Sequence, residues 1–383
     1  GCFVEIRQRR EVANSYVSAL ISEVELVADK MRSQRTMAQL ALGGGTPTFL
    51  LPEQMERLFR ALDGLFPHEP HADLSIEVDP RTVDLEYLQL LFDLGFRRFS
   101  FGVQDFDQEV MALVNRPQPA ENTEKAVDFL RGLGNSSINL DLLYGLPLQN
   151  CDRFSKTLAR VVQMRPSRIA LFHYAHVPWM KPAQKLLDRH PRPDSEEKAA
   201  MFVLAEEVLG AAGYRRLGLD HFALPHDALL QAADRGELGR NFQGYTTHAD
   251  LDLIGLGVSA IGSFGGIYAQ NTKERVEHAA QVEAGRLPIV RGYRLSHEDK
   301  VRRELIMTLM AQFGLRWNER LKREHFAEEL RALEPMEADG LVNLSEDGIE
   351  ITPLGRDFVR NVCAVFDQYF EGDPASRKYS HTA

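Results

Sequence analysis

The chain has 383 residues, of which 44% are hydrophobic and 26% charged, and its formal net charge is −10. This composition is that of an ordinary globular protein with two or three domains. The acidic charge argues against non-specific binding of nucleic acids, because such binding needs Lys and Arg to neutralise phosphates. No stretch approaches the roughly 18 consecutive apolar residues that span a bilayer, so no membrane partner is expected. The cysteines Cys2, Cys151 and Cys363 are too few for a disulfide framework and indicate a reducing cytoplasm.

The first 290 residues alternate between helix and strand patterns. Apolar residues at helical spacing predict a first helix over residues 12–32. The strict alternation that follows predicts a parallel sheet covered by helices on both faces. Several helices are expected to end at a glycine, at Gly64, Gly95, Gly134 and Gly213. The predicted strands are Ala38–Leu42, Leu74–Val78, Arg98–Val103, Ile138–Leu142 and Ile169–His173, and the predicted helices lie near 52–66, 83–94, 120–133, 152–164 and 196–212.

Polar or glycine-rich residues follow each predicted strand. In a βα barrel the carboxyl ends of the strands carry the active site, so this pattern favours an α/β partial barrel with a site at that rim. A βαβ unit that opens on a helix lacks its first strand, so a strand and a loop are expected upstream of Gly1. The clusters are Gly43–Thr46, Glu77–Asp79, Gln104-Asp105, Asp141 and His173-Tyr174.

The pattern changes near Arg291, which predicts a barrel domain over 1–290 and a mostly helical C-terminal domain over 291–383. The order helix, helix, hairpin, helix in the second part resembles a winged helix, whose hairpin turns at Asp347-Gly348. Glutamates on the would-be recognition helix argue against DNA binding and favour a covering role, and residues 372–383 are expected to be a disordered tail. The predicted elements are helices over Asp299–Ala311, within Glu319–Leu333 and over Leu354–Phe370, and strands at Leu341–Leu344 and Ile349–Thr352.

Two motifs favour ligand binding over a purely structural role. Gly43-Gly44-Gly45-Thr46-Pro47-Thr48 follows a strand, where glycines let the backbone approach a ligand and N–H groups can meet a carboxylate. Its spacing is neither that of a Walker loop nor that of a dinucleotide fingerprint. In Ser75–Pro80, alternation places Glu77 and Asp79 on one face, where carboxylates can bind hydroxyl or ammonium groups.

Other polar residues are individually weak signals. Arg116 could hold a carboxylate by a bidentate contact. The histidines of His173–His176 serve equally well as core residues or as ligand contacts, and no His or Cys pair has the spacing of a zinc site. Together with Gln104 and Asp141, these residues describe a polar cup.

Taken in order, these segments resemble one family over nearly the whole chain, the oxygen-independent coproporphyrinogen III oxidases. The fold implied is a partial (β/α)6 radical S-adenosylmethionine barrel with a winged-helix-like C-terminal domain. The segments that carry the resemblance are Gly43–Thr48, Ser75–Pro80, Gly102–Phe106, Asn115-Arg116, Asn139–Pro147, His173–Pro178, Asp220–Ala223, Asn241–Thr247 and Gly257–Ile261.

The resemblance implies a [4Fe–4S] cluster and two bound S-adenosylmethionine molecules. The family's cluster loop is Cys-x-x-x-Cys-x-x-Cys-x-Cys, and Gly1-Cys2 matches only its last two positions. Cys2 is then the trailing cysteine, which is not a ligand, and the three ligands are expected upstream of Gly1. Gly44, Glu77 and Ile261 match residues at the cluster-bound S-adenosylmethionine. The residues that match those around the second molecule are Gly45, Thr46, Gln104, Arg116, Asp141 and Ala175.

The activity implied is oxidative decarboxylation of two propionates of coproporphyrinogen III to vinyl groups, giving protoporphyrinogen IX, by a 5′-deoxyadenosyl radical. The four propionates of the substrate need local basic groups in an acidic protein, and Arg240 with His173 or His176 are expected to supply them. Gln243 is a further substrate candidate, an electron donor is an implied partner, and a monomer is expected.

Three other functions remain open. A related haem chaperone carries Asn-x-x-Tyr-Trp where this chain has Asn241–Thr247, and no Trp follows Tyr245 here. A related radical methyltransferase opens the haem ring, and its similarity is expected to weaken around Asn241–Ile261. The third alternative is an interaction protein that has lost catalysis together with its cluster cysteines.

Overall fold

The computed structural model describes residues 9–31, 35–135 and 137–370. Cys2, the expected upstream strand and the predicted tail over 372–383 lie outside the described residues. Within the described residues, no helix combines the length and apolar character needed to cross a membrane.

Helices and strands alternate through the first part of the chain as the sequence predicts. The helices are α1 Ala13–Lys30, α2 Pro52–Leu65, α3 Leu85–Asp93, α4 Gln108–Leu113, α5 Ala120–Gly132, α6 Cys151–Met164, α7 Ser195–Ala211, α8 Ala228–Asp234, α9 Arg275–Glu283, α10 His297–Gln312, α11 Ala327–Ala338 and α12 Val359–Val365. The strands are β1 Met37–Leu42, β2 His68–Val78, β3 Arg98–Gln104, β4 Ile138–Tyr144, β5 Arg168–His173, β6 Arg215–Leu217, β7 His221–Ala223, β8 Gly239–Asn241, β9 Gly244–Thr246, β10 Ile261–Phe264, β11 Ile267–Asn271, β12 Ile289–Arg294, β13 Gly314–Arg316, β14 Val342–Leu344 and β15 Gly348–Ile351.

The main sheet has seven strands in the order β1-β2-β3-β4-β5-β7-β6. β1 pairs with β2, and β2 with β3, in parallel, whereas the short strands β7 and β6 are antiparallel. The α/β prediction is confirmed, and over the described residues the sheet is open and does not close into a barrel. Strands β6 and β7 were not predicted, because three-residue strands are too short to show an alternating pattern.

Glycines end most of the predicted helices but not all of them. Gly95, Gly134 and Gly213 follow helices with φ of 99°, 83° and 89°, the left-handed conformation that favours glycine. The expectation for Gly64 is wrong: α2 continues to Leu65, so this glycine lies inside the helix.

The described residues form two compact units. The first unit contains the residues up to Val103, Ala120–Leu140 and Asp250–Leu295. Its core includes Val17 and Val24 of α1 packed with Leu58 and Leu62 of α2. This unit carries β1, β2 and the three-stranded sheet β10-β11-β12.

The second unit contains Gln104–Pro119, Asp141–Ala249 and the residues from Ser296 onward. Its C-terminal part has a three-stranded sheet in the order β13-β15-β14, so the predicted hairpin is present. The predicted helix over Leu354–Phe370 is wrong in extent: a 3-10 turn over Leu354–Phe358 precedes the short helix α12. The division at residues 290 and 291 remains a prediction.

A buried ion pair stabilises the second unit. Oδ2 of Asp227 accepts hydrogen bonds from Nη2 and Nε of Arg168 at 2.8 and 3.2 Å, and Oδ1 caps α8 by accepting the N–H of Leu229 at 2.9 Å. The side chains of Arg168 and Asp227 are only 7% and 1% exposed. Breaking such a pair leaves a buried charge without its counter-ion.

We expect Asp227→Ala to lower the free energy of unfolding by about 3 kcal/mol or more, since both the ion pair and the cap are lost. Chemical denaturation followed by circular dichroism measures this change. Asp234→Ala is the matched control, because Asp234 also pairs with an arginine, Arg215, but at the surface. An equal effect of the two substitutions would contradict the assignment.

Candidate functional site

In the first unit, the glycine loop after β1 lies against the carboxylate of Glu77. The N–H of Gly44 donates to Oε2 of Glu77 at 3.0 Å. A Cβ on Gly43 would lie 2.8 Å from Oε1 of Glu77, so a side chain at this position would displace the carboxylate from the loop. Gly44 and Gly45 have φ of 75° and 64°, the region that L side chains rarely adopt. The glycine loop and the end of β2 are therefore in direct contact through Glu77.

The two acidic residues at the end of β2, Glu77 within the strand and Asp79 just after it, are in different environments. The side chain of Glu77 is exposed, whereas Asp79 is 5% exposed and is held by the guanidinium of Arg81, whose Nη2 is 2.7 Å from Oδ2. The hydroxyl groups of Thr48 and Thr82 form a hydrogen bond of 2.7 Å. The Thr48 hydroxyl also accepts a hydrogen bond from the N–H of Asp79 at 3.2 Å. Glu77 is thus the exposed carboxylate of the two, whereas Asp79 is buried and holds the loop through Arg81 and Thr48.

Ile261 begins β10 after a tightly held turn in the same unit. A Cβ on Gly255 would lie 2.6 Å from the carbonyl carbon of Ile261, so glycine is required beside its backbone. Glu23, only 1% exposed, accepts the N–H of Gly257 at 2.8 Å and lies 2.8 Å from Nε2 of the buried His278. Asn271 also donates to Glu23, at 2.6 Å. This buried network fixes the turn that leads into Ile261.

In the second unit, Gln104 ends β3 in an unusual conformation. Its φ is 70°, which is uncommon for a residue with a side chain. The neighbouring Asp105 is fully buried, and its carboxylate accepts from the hydroxyl of Thr157, from Nε2 of Gln149 at 2.6 Å and from the N–H of Phe106 at 2.6 Å. Burial raises the pKa of Asp105 above its ordinary value, although these donors oppose the shift.

The Asp105 network joins two strand ends that carry predicted site residues. Gln149 donates to Asp105 and also to the carbonyl of Leu143 at 2.9 Å, and it accepts the N–H of Leu146 at 2.8 Å. Leu143 lies in β4, two residues after Asp141. The conformation of Gln104 and the path of the chain after Asp141 are therefore held by the same buried carboxylate.

The remaining predicted residues of this unit differ in their contacts and in their exposure. The N–H of Arg116 donates to the carbonyl of Met111 at 2.8 Å, and the carbonyl of Ala175 accepts from Nε2 of Gln184 at 3.0 Å. The guanidinium of Arg240 lies over the ring of Tyr245 at 5.4 Å. Gln243 is exposed in the turn between β8 and β9.

The two candidate histidines are distinguished by their contacts. Nε2 of His176 is 2.8 Å from Oδ1 of Asp188, and its Nδ1 is 3.3 Å from the hydroxyl of Tyr174. Nε2 of His173 is buried and makes no hydrogen bond within the described part of the chain. Burial, with the charge of Lys198 as a smaller cause, lowers the pKa of His173. His173 is therefore less readily protonated than a free imidazole, and its buried Nε2 lacks a hydrogen-bond partner among the described residues.

The described residues fit S-adenosylmethionine but supply no ligand set for an iron–sulfur cluster. The Gly43–Gly45 loop and the exposed Glu77 carboxylate suit an amino-acid ammonium group, because a carboxylate binds it directly. Across the residues that the structure describes, no three His, Cys, Asp or Glu side chains are grouped to hold a metal. Burial raises the pKa of the Cys363 thiol to about 12, which disfavours the thiolate form that binds metals.

Comparison with known proteins agrees with this arrangement. The family model described as the radical SAM superfamily matches residues 4–161, and the model of the HemN C-terminal domain matches residues 295–358. The solved structure of coproporphyrinogen III oxidase from Escherichia coli, described as a radical SAM enzyme, superposes with a TM-score of 0.93 at 40% identity, over 97% of this chain and 86% of that chain. The class defined by fold and site is thus the radical SAM proteins.

Two curated relatives identify the family within this class. Oxygen-independent coproporphyrinogen III oxidase of Synechocystis is 41% identical over 99% of this chain and 84% of its own length. The enzyme of the same name from Pseudomonas aeruginosa is 42% identical over 96% of this chain and 82% of its own length. The chain belongs to the oxygen-independent coproporphyrinogen III oxidases.

Three residues that contact predicted site residues were not themselves predicted from the sequence. Thr157, Gln149 and Lys198 lie in or before helices and belong to no motif, so no pattern marked them. Asp105 was recognised as part of a polar cluster after β3, but its burial and its role in joining two strand ends could not be read from spacing.

Proposed function

We propose that the protein oxidatively decarboxylates two propionate side chains of coproporphyrinogen III to vinyl groups and so forms protoporphyrinogen IX. The observation that carries this proposal is the combination of about 40% identity to the named oxidases with a TM-score of 0.93 to the solved one. The loop around Glu77 adds a local feature that suits the family's cofactor.

The first S-adenosylmethionine is assigned to Gly44, Glu77 and Ile261. The carboxylate of Glu77 would accept the ammonium group, and the glycines would let the backbone approach the ligand. The buried network of Glu23 and His278 supports this assignment by holding the turn before Ile261. When bound, S-adenosylmethionine would accept one electron from the reduced cluster, release methionine and so supply the 5′-deoxyadenosyl radical that takes hydrogen from the substrate propionate.

The second S-adenosylmethionine is assigned to residues at the ends of β3, β4 and β5 and in the glycine loop. Asp105 supports this assignment, because its hydrogen bonds hold Gln104 in its left-handed conformation. The other residues in the set are Gly45, Thr46, Arg116, Asp141 and Ala175. No residue of the described ranges is assigned to the cluster, since none of them belongs to a group of three His, Cys, Asp or Glu side chains that could hold a metal.

Substrate contacts are assigned to Arg240, Gln243 and one of His173 and His176. Arg240 is a fixed cation beside an aromatic ring, an arrangement suited to a carboxylate on an apolar macrocycle. We also infer a cytoplasmic monomer that takes electrons from a cellular donor, consistent with its acidic charge and sparse cysteines. The C-terminal module is proposed as a cover that keeps water from the radical.

The test is an anaerobic assay of the full-length protein with a reconstituted cluster, reductant, S-adenosylmethionine and coproporphyrinogen III. We expect protoporphyrinogen IX, detected as protoporphyrin IX after oxidation and chromatography. Haem binding without conversion of coproporphyrinogen would overturn the proposal in favour of the chaperone.

A further inference from the structure

His173 and Lys198 pack over the same glycine in the second unit. His173 is the last residue of β5, and Lys198 lies in the first turns of α7. The position of a Cβ on Gly145 would be 3.5 Å from Cδ2 of His173, and 3.4 and 3.5 Å from Cγ and Cε of Lys198. Gly145 has φ of 85°, a conformation that favours glycine, whereas a Cβ there would meet the two side chains at ordinary van der Waals distance. The two side chains therefore meet just beyond the end of β4.

Lys198 has no carboxylate partner among the residues that the structure describes. It is half-buried, with the methylene groups of its stem packed over Gly145. An ammonium group held in this way and without a counter-ion is a site of local positive charge in a protein whose net charge is −10. Arg215 of the same unit, in contrast, is paired with the carboxylate of Asp234.

Nε2 of His173 adds a hydrogen-bonding group beside the positive charge of Lys198. Its buried Nε2 makes no hydrogen bond within the described ranges, and an unsatisfied buried polar atom is unfavourable. In the tautomer protonated at Nε2, the neutral ring can donate to an anion. The rings of Tyr144 and His173 have centroids 5.4 Å apart, and Phe202 lies 5.8 Å beyond Tyr144. A cation and a hydrogen-bond donor thus adjoin an aromatic wall.

We propose that Lys198 and His173 form a carboxylate-binding subsite that receives one propionate of the tetrapyrrole substrate, with Tyr144 against its apolar edge. This inference rests on the proposed function and selects His173 over His176, whose two ring nitrogens are already engaged. Lys198 supplies the positive charge and Nε2 of His173 supplies a directional hydrogen bond, so two different side chains hold the propionate.

The test measures binding of coproporphyrin III, the oxidised tetra-acid, to the full-length protein by fluorescence titration. We expect Lys198→Met and His173→Leu each to weaken binding about tenfold, the loss of one hydrogen bond to a charged group. The tetra-amide of coproporphyrin III, which lacks the carboxylates, should bind wild type and both variants equally. Lys156→Met is the matched control, because Lys156 is exposed on α6 in the same unit.

The outcomes separate the subsite from the function. If the wild type converts coproporphyrinogen III but Lys198→Met binds the tetra-acid as tightly as wild type, the subsite is wrong and the function stands. If the wild type neither binds coproporphyrin III nor converts the substrate, the proposed function fails as well. Lys198→Arg keeps the charge and should restore binding to within a few-fold; failure to do so in a protein with unchanged thermal midpoint would also overturn the subsite.

Discussion

Replacing Glu77 by alanine should weaken binding of S-adenosylmethionine by about 10- to 100-fold, because a charge-assisted hydrogen bond contributes about 1.5–3 kcal/mol. The fold should remain, since the side chain is exposed and the N–H of Gly44, its partner at 3.0 Å, can bind water instead. Equilibrium binding to the cluster-loaded protein measures the effect directly.

Two further variants separate the charge of Glu77 from its contact with the loop. Glu77→Gln keeps an acceptor for the N–H of Gly44 but removes the negative charge, so it should lose nearly as much affinity as the alanine variant. Glu69→Ala is the matched control, because Glu69 lies on the same strand and is exposed. Wild-type affinity in both Glu77 variants would refute the assignment of the ammonium group to this carboxylate.

The second large effect is expected at Asp105. Asp105→Ala leaves the hydroxyl of Thr157, the amide of Gln149 and the N–H of Phe106 without their acceptor in a buried place. Each unsatisfied donor costs about 1–3 kcal/mol, so the free energy of unfolding should fall by about 3 kcal/mol or more. Thermal or urea unfolding of the apoprotein checks this expectation.

The raised pKa of Asp105 predicts that the free energy of unfolding depends on pH. Its folded-state pKa is raised by burial, so the folded protein holds this proton at pH values where the unfolded chain has released it. Stability from this group should therefore fall as pH rises from the ordinary Asp value through the raised value. Asp105→Asn cannot titrate, so the difference in unfolding free energy between wild type and this variant should change in that window. A pH-independent difference would show that the pKa is not raised.

The sequence predicted the elements of the sheet well because apolar runs and capping glycines are local signals. β3, β4 and the helix α5 between them lie within a few residues of their predicted bounds, whereas the short helix α4 was not predicted. β2 begins earlier than expected, at His68, because its first residues are polar and exposed and show no apolar alternation. The helix predicted over Leu354–Phe370 failed because spacing alone does not distinguish a 3-10 turn followed by a short helix from one long helix.

The candidate site was predicted in parts. Glycines with positive φ and a carboxylate after a strand are visible in the sequence, and Gly43–Gly45 with Glu77 form the contact that they indicated. The subsite of Lys198 and His173 was not visible, because it depends on a helix that packs over Gly145 rather than on any spacing. Nor could spacing show which of the two histidines is saturated by its neighbours.

The most direct measurement is the number of S-adenosylmethionine molecules bound by the full-length, cluster-loaded protein and by its Glu77→Ala and Asp141→Ala variants. At an S-adenosylmethionine concentration just sufficient to fill both sites of the wild type, we expect two molecules in the wild type and one in each variant, because the two residues are assigned to different molecules. A single molecule in the wild type, or the loss of the same molecule in both variants, would contradict it.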